Sequence, residues 1–108
     1  MKIALTNVPA EHAHSIAATL VKERVVACVN FYPIKSYYVW KEELHQDDEV
    51  TLMMKVAAKG VTQLRTRLAE LHPYEVMEFV VHDINQQDSL AEFVEFVRQG
   101  TRIADEPD

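Results

Sequence analysis

The sequence predicts an α+β fold of the ferredoxin-like type, a βαββαβ sandwich with an additional C-terminal helix. Three observations carry this. Apolar stripes of helical spacing alternate with short strand patterns along the chain. Two β-α-β runs follow one another, with one helical stripe left over at the end. The 108 residues, 48% apolar and 26% charged, have the size and composition of one globular domain. A single domain over residues 1–108 is therefore expected, with a polar, loose tail from about residue 101.

Ile3 to Asn7 reads as a first strand, and Pro9 suits the first turn of the helix after it. Ala13, Ile16, Ala17, Leu20 and Val21 recur at spacings of three and four and give that helix its apolar stripe. Val25 to Phe31 is β-branched and apolar, hence a strand. It is interrupted at Pro33 and resumes from Ser36 to Trp40. Lys41 to Asp48 reads as a charged connection. Val50, Leu52, Met54 and Val56 then alternate with their neighbours as one face of a strand.

Val61, Leu64, Leu68 and Leu71 form a second helical stripe, which Pro73 prevents from continuing. Val76 to His82 is expected as the fourth strand, with Met77, Phe79 and Val81 on one face. Ser89 and Glu92 have capping-box spacing at the start of a third helix, built on Leu90, Phe93, Val94 and Val97 and ended by Gly100. Two helices cover one face of the sheet, yet strands such as those of Val26 and Met53 are apolar on both sides. A second covering is needed, and another subunit is the simplest one.

Composition excludes several functions. A net charge of −6 disfavours general nucleic-acid binding; it serves solubility first and the attraction of cations second. The single Cys28 cannot form an internal disulfide, which favours a reducing compartment. The apolar run Met1 to Leu5 turns polar at Thr6, too soon for a signal-peptide core, and no later stretch would span a membrane. A cytoplasmic protein without membrane partners is expected. Two glycines leave no phosphate-binding glycine loop, one thiol rules out a paired-cysteine loop, and no nucleophile–base constellation stands out. An enzyme is not expected.

Three stretches carry a family resemblance. Val26-Ala27-Cys28-Val29-Asn30 is the first. Ser36-Tyr37-Tyr38-Val39-Trp40 with Glu49-Val50-Thr51-Leu52-Met53-Met54-Lys55 is the second, and Leu71-His72-Pro73-Tyr74-Glu75-Val76 is the third. In order and spacing they resemble the CutA family of divalent cation tolerance proteins, over roughly residues 3 to 98. The chain departs from the family pattern at Lys41-Glu42-Glu43, where a glycine is usual, at Met77, where a proline is usual, and before and within the last helix. The resemblance implies a tight homotrimer with strands pairing across subunits. It also implies a function in tolerance of divalent cations, copper first. The alternative is a P-II-like signalling or scaffolding trimer that binds a small molecule or partner protein in an intersubunit cleft, and a third reading makes the trimer mainly a stable platform.

Candidate residues follow. Cys28 stands at a family position associated with metal, and a thiolate suits soft ions such as Cu(I). Its other reading is a small buried apolar side chain. His72 offers an imidazole to Cu(II) or Zn(II), with Glu75 adding an oxygen; its other reading is a cation at a helix C-terminus. Trp40 and Tyr74 are candidates to line the cleft or to pack an interface. Lys55, on an apolar strand, needs a partner for its ammonium; Glu49 and Glu75 are the candidates, and a structural ion pair is the alternative to a functional cleft. His12, His14, His45 and His82 read as surface histidines.

Overall fold

The structure is a computed structural model and describes residues 1–104. Its elements are β1 (Lys2–Val8), α1 (Ala10–Lys22), β2 (Cys28–Trp40), β3 (Glu43–Val56), a short 3-10 turn (Ala58–Gly60), α2 (Val61–Leu71), β4 (Val80–Asp83) and α3 (Ala91–Gly100). The strands form one antiparallel sheet in the order β2-β3-β1-β4. This is the α+β, ferredoxin-like arrangement that the element order predicts.

The core follows from the pleat. Ala4, Thr6 and Val8 of β1 stand beside Met54, Leu52 and Val50 of β3, so these side chains share one face. Against it α1 buries Ala13, Ile16, Ala17 and Leu20, and α2 buries Leu64 and Leu68. Each fully buried aliphatic side chain here contributes about 1.5–3 kcal/mol relative to exposure. Val21, read as part of the α1 stripe, points outward instead. Arg67 of α2 grips the Glu23 carboxylate at the end of α1 through two 2.8 Å hydrogen bonds.

The second and third strands differ most from the sequence expectation. Lys41 to Asp48 is not a connection: all but two of its residues belong to β3, and Glu43 pairs with Trp40. Only Lys41 and Glu42 make the turn, both with left-handed backbone (φ 51° and 69°). That is the geometry of a two-residue hairpin loop whose twist matches the flanking strands. Charge marked the segment as a loop, whereas two long strands facing solvent can carry charge freely. Pro33 does not break β2; it sits in register opposite Val50 on the outer strand of the sheet, where a missing donor is tolerated. β2 begins only at Cys28, and Val25 and Val26 pack into the core from the preceding turn.

The fourth strand is shorter than expected, covering Val80 to Asp83 rather than starting at Val76. Met77 and Phe79 still pack against the core, so their alternation reports inward-facing side chains without strand pairing. Ser89 does not cap α3: its hydroxyl donates to the carbonyl of Asn85, and Leu90 is the N-cap with no side-chain bond. Gly100 does close α3, for reasons of space. A Cβ there would meet the Cβ of Ala27 at 2.7 Å, so α3 ends directly against the chain entering β2.

The stretch expected to be loose is held in its first four residues. Thr101 is buried and accepts a hydrogen bond from the backbone of Ala57, while Gln63 donates to the carbonyl of Arg102 and accepts from the N–H of Ala104. The remainder of that stretch, 105–108, lies outside the described residues.

Candidate functional site: an acidic, aromatic cleft along the hairpin

The β2–β3 hairpin puts alternate side chains on the face that the helices leave open. Cys28, Asn30, Tyr32, Ile34, Ser36, Tyr38 and Trp40 of β2 oppose Lys55, Met53, Thr51, Glu49, Asp47, His45 and Glu43 of β3. On this face Tyr38 stacks on His45 with ring centres 5.2 Å apart, and its hydroxyl donates to Asp47. That bond pushes the Tyr38 phenol up to about 12.

The segment after α2 runs beside this row and closes a cleft of about 270 Å³ lined by Asn7, Tyr38, Trp40, Glu49, Tyr74, Glu75, Val76 and Glu78. Glu49 is its buried carboxylate, 6% exposed, and accepts a 2.6 Å hydrogen bond from the Tyr74 hydroxyl. Burial first, and then the bond to Glu49, raises the Tyr74 phenol well above its ordinary range. Thr51 donates to the Asn7 side chain at 2.7 Å and fixes the cleft floor. At the rim Lys41 lies 5.9 Å from the Trp40 ring centre and 4.0 Å from the Glu75 carboxylate.

His72 holds the segment in place. It is the C-cap of α2 and is buried. Its Nδ1 accepts the backbone N–H of Tyr74 at 3.2 Å, so the ring proton resides on Nε2. Nε2 lies 3.0 Å from both the Thr6 hydroxyl and the Asn7 carbonyl, the latter beyond the point where β4 stops pairing with β1. The side chain thus takes over at a sheet edge the strand no longer covers. Burial lowers the pKa of the imidazole, although the Asn7 carbonyl and Glu49 oppose this. His72 faces inward, and its burial and its Nδ1 acceptor role both favour the uncharged imidazole, against the reading as a helix-end cation.

The sequence-predicted residues fall into two groups. Trp40, Tyr74 and Glu75 line the cleft, and His72 stands behind Tyr74. Cys28 and Lys55 face each other across β2 and β3 at the other end of the sheet. Lys55 and Glu49 are six residues apart on β3, which is roughly 20 Å. Lys55 finds its partner in Asn30, whose side-chain oxygen also lies 3.8 Å from the Cys28 thiol. Among the described residues no three His, Cys, Asp or Glu side chains come together as a metal cage. Asn7, Tyr38 and Glu78 were not singled out from the sequence. Extending β3 back to Glu43 would have placed Tyr38, Trp40 and Glu49 on one face.

The fold and its cleft define a ferredoxin-like domain with an elongated hairpin, and comparison with known proteins identifies the family. The family described as CutA1 divalent ion tolerance protein matches residues 2–100. The chain is 36% identical over 102 residues to the divalent-cation tolerance protein CutA of Thermus thermophilus, covering 93% of this chain and 97% of that one. It is 37% identical over 90 residues to human protein CutA, covering 82% of this chain and 49% of the human one. The structure described as the PII-like protein CutA from Nostoc sp. PCC 7120 in apo form superposes with a TM-score of 0.92 at 53% identity, covering 94% and 98% of the two chains. The chain belongs to the CutA1 divalent ion tolerance family. No helix among the described residues is long and apolar enough to cross a membrane.

Proposed function

We propose that the protein works as a homotrimer that binds divalent cations, copper first, and so contributes to cation tolerance by binding rather than by catalysis. The observation that carries this is the open sheet face with its projecting hairpin. Tyr32, Tyr37, Val39, Trp40 and Leu44 are exposed on the two faces of a hairpin too long for the body of one chain to cover, and Val80 is exposed on β4. Exposed apolar surface on this scale is characteristic of an interface, and further copies of the chain are its simplest occupants.

Assembly bears on the cation as well. A lone chain offers the Cys28 thiol at one end of the sheet and, far from it, the cleft carboxylates Glu49, Glu75 and Glu78, which among the described residues do not come together as a metal cage. Donors from neighbouring copies would complete a coordination set that one chain does not hold. To act as a ligand, His72 would have to release either the Tyr74 N–H or the Asn7 carbonyl. Its role in this reading is to hold Tyr74 and Glu75 at the cleft, and its ligation is the costlier arrangement.

The test is a competition titration of metal-stripped protein with Cu(I), Cu(II) and Zn(II), alongside Cys28→Ser, Glu75→Gln and His72→Gln. Saturable, selective binding lost in Cys28→Ser or Glu75→Gln supports the proposal. Loss in folded His72→Gln alone would move the site to the imidazole, and weak, unselective binding shared by all four proteins would sink it.

A further inference from the structure

The sheet face that the helices leave open carries opposite charge at its two ends, and strand register sets this. At one end Cys28, Lys55, Ile3 and His82 form a single row across β2, β3, β1 and β4. Toward the hairpin tip the strands of the same face carry Glu49, Asp47 and Glu43, with His45 stacked on Tyr38 among them and no lysine or arginine. Glu75 and Glu78 add to this acidic end from the segment after α2. Within one chain Lys55 and Glu49 stand three rows apart, roughly 20 Å.

Both charges lack a counterion. Glu49 is 6% exposed and accepts the Tyr74 hydroxyl, and no lysine or arginine among the described residues lies within ion-pair reach of it. Lys55 is half-buried between Ile3 and Cys28 and donates to the neutral Asn30 side chain, with no carboxylate among the described residues in reach. Lys2, Lys35 and Lys41, by contrast, each meet a carboxylate. A single bond to a neutral group leaves donors on the ammonium and acceptor sites on the carboxylate open. Covering this face buries both charges further, and a buried ion is tolerated when it is paired. A closed head-to-tail ring joins two different patches of the chain at every contact, and the two ends of this face are complementary patches.

We propose that Lys55 of one copy pairs with Glu49 of the next, so that each cleft is completed by a cation from a neighbouring chain. This rests on the homotrimer reading and adds to it which ends of the sheet meet.

The test is carbodiimide cross-linking of the full chain, with its assembly state read by native mass spectrometry. An isopeptide bond between Lys55 and Glu49, located by peptide mass, forms only between copies, because the two groups are too far apart in one chain. The wild-type trimer should give it. Charge reversal supplies a second measurement. Lys55→Glu sets acid against acid, and the protein concentration at which the trimer half-dissociates should rise about tenfold or more. Adding Glu49→Gln to the same chain should recover part of that loss. Arg65→Glu, an exposed reversal of equal size on α2, should leave the trimer unchanged. If Lys55→Glu fails to fold by circular dichroism, the wild-type cross-link decides. A trimer that lacks the cross-link and dissociates alike in Lys55→Glu and Arg65→Glu would overturn the pair and leave the homotrimer reading standing. A monomer at every concentration would overturn both.

Discussion

Tyr74 donates its hydroxyl to Glu49 at 2.6 Å, joining the loop after α2 to the middle of β3 across the floor of the cleft. Glu49 is buried on a strand whose next residues are core, so its charge is tolerated because it is hydrogen-bonded. Removing the donor leaves the carboxylate without that partner. Tyr74→Phe should destabilise by roughly 1.5–3 kcal/mol, the range for hydrogen bonds to charged groups. In a double-mutant cycle with Glu49→Gln, followed by urea unfolding, the two changes should be clearly non-additive. Full additivity would mean that the bond contributes nothing.

His72 gives the fold a pH dependence of known sign. Burial holds its pKa below the ordinary histidine value of 6.5. Between that value and the lower folded one, the unfolded chain binds more protons than the folded chain. The stability His72 contributes is therefore complete above about pH 6.5 and lost as pH falls through the folded value. His72→Gln should be less stable at neutral pH and should lack this part of the acid slope. Parallel slopes for the two proteins in denaturation across that pH range would contradict the assignment.

How much of this was legible in the sequence depended on which force left its mark there. The stripes of α1 and α2 and the alternation from Val50 to Val56 record burial, and burial fixed those elements correctly. The hairpin tip buries little, so Glu43 to Asp48 showed only charge and read as a loop, although two strands pair through it. Lys41 and Glu42 hid the turn because neither is the glycine that left-handed backbone favours. Cleft geometry was illegible for the same reason: without the register, Glu49 and Tyr38 had no common face. The role of His72 depended on where β4 stops, which no local pattern around Val76 revealed.

The turn makes its own prediction. Glu42 adopts φ 69°, and a Cβ in left-handed backbone costs about 1–2 kcal/mol. Glu42→Gly removes that strain and gives back part of it through the freer unfolded chain. A net gain of up to about 1 kcal/mol is expected in chemical denaturation. A loss would show that the Glu42 side chain contributes more than its backbone costs.

Close packing at Gly100 is equally exposed to test. An added methyl would meet the Cα of Ala27 at 3.1 Å and its Cβ closer still. Gly100→Ala should cost about 1–3 kcal/mol by overpacking, despite the better helix propensity of alanine. Unchanged or increased stability would mean that α3 shifts freely at this end.

The proposed assembly and the proposed cation are best tested together by native mass spectrometry of metal-stripped protein, before and after addition of Cu(II). The account predicts a trimer mass that takes up a defined number of ions, with uptake reduced in Glu75→Gln or Cys28→Ser while the trimer persists. A monomer mass, or a trimer whose uptake is graded, unsaturated and the same in both variants, would contradict it.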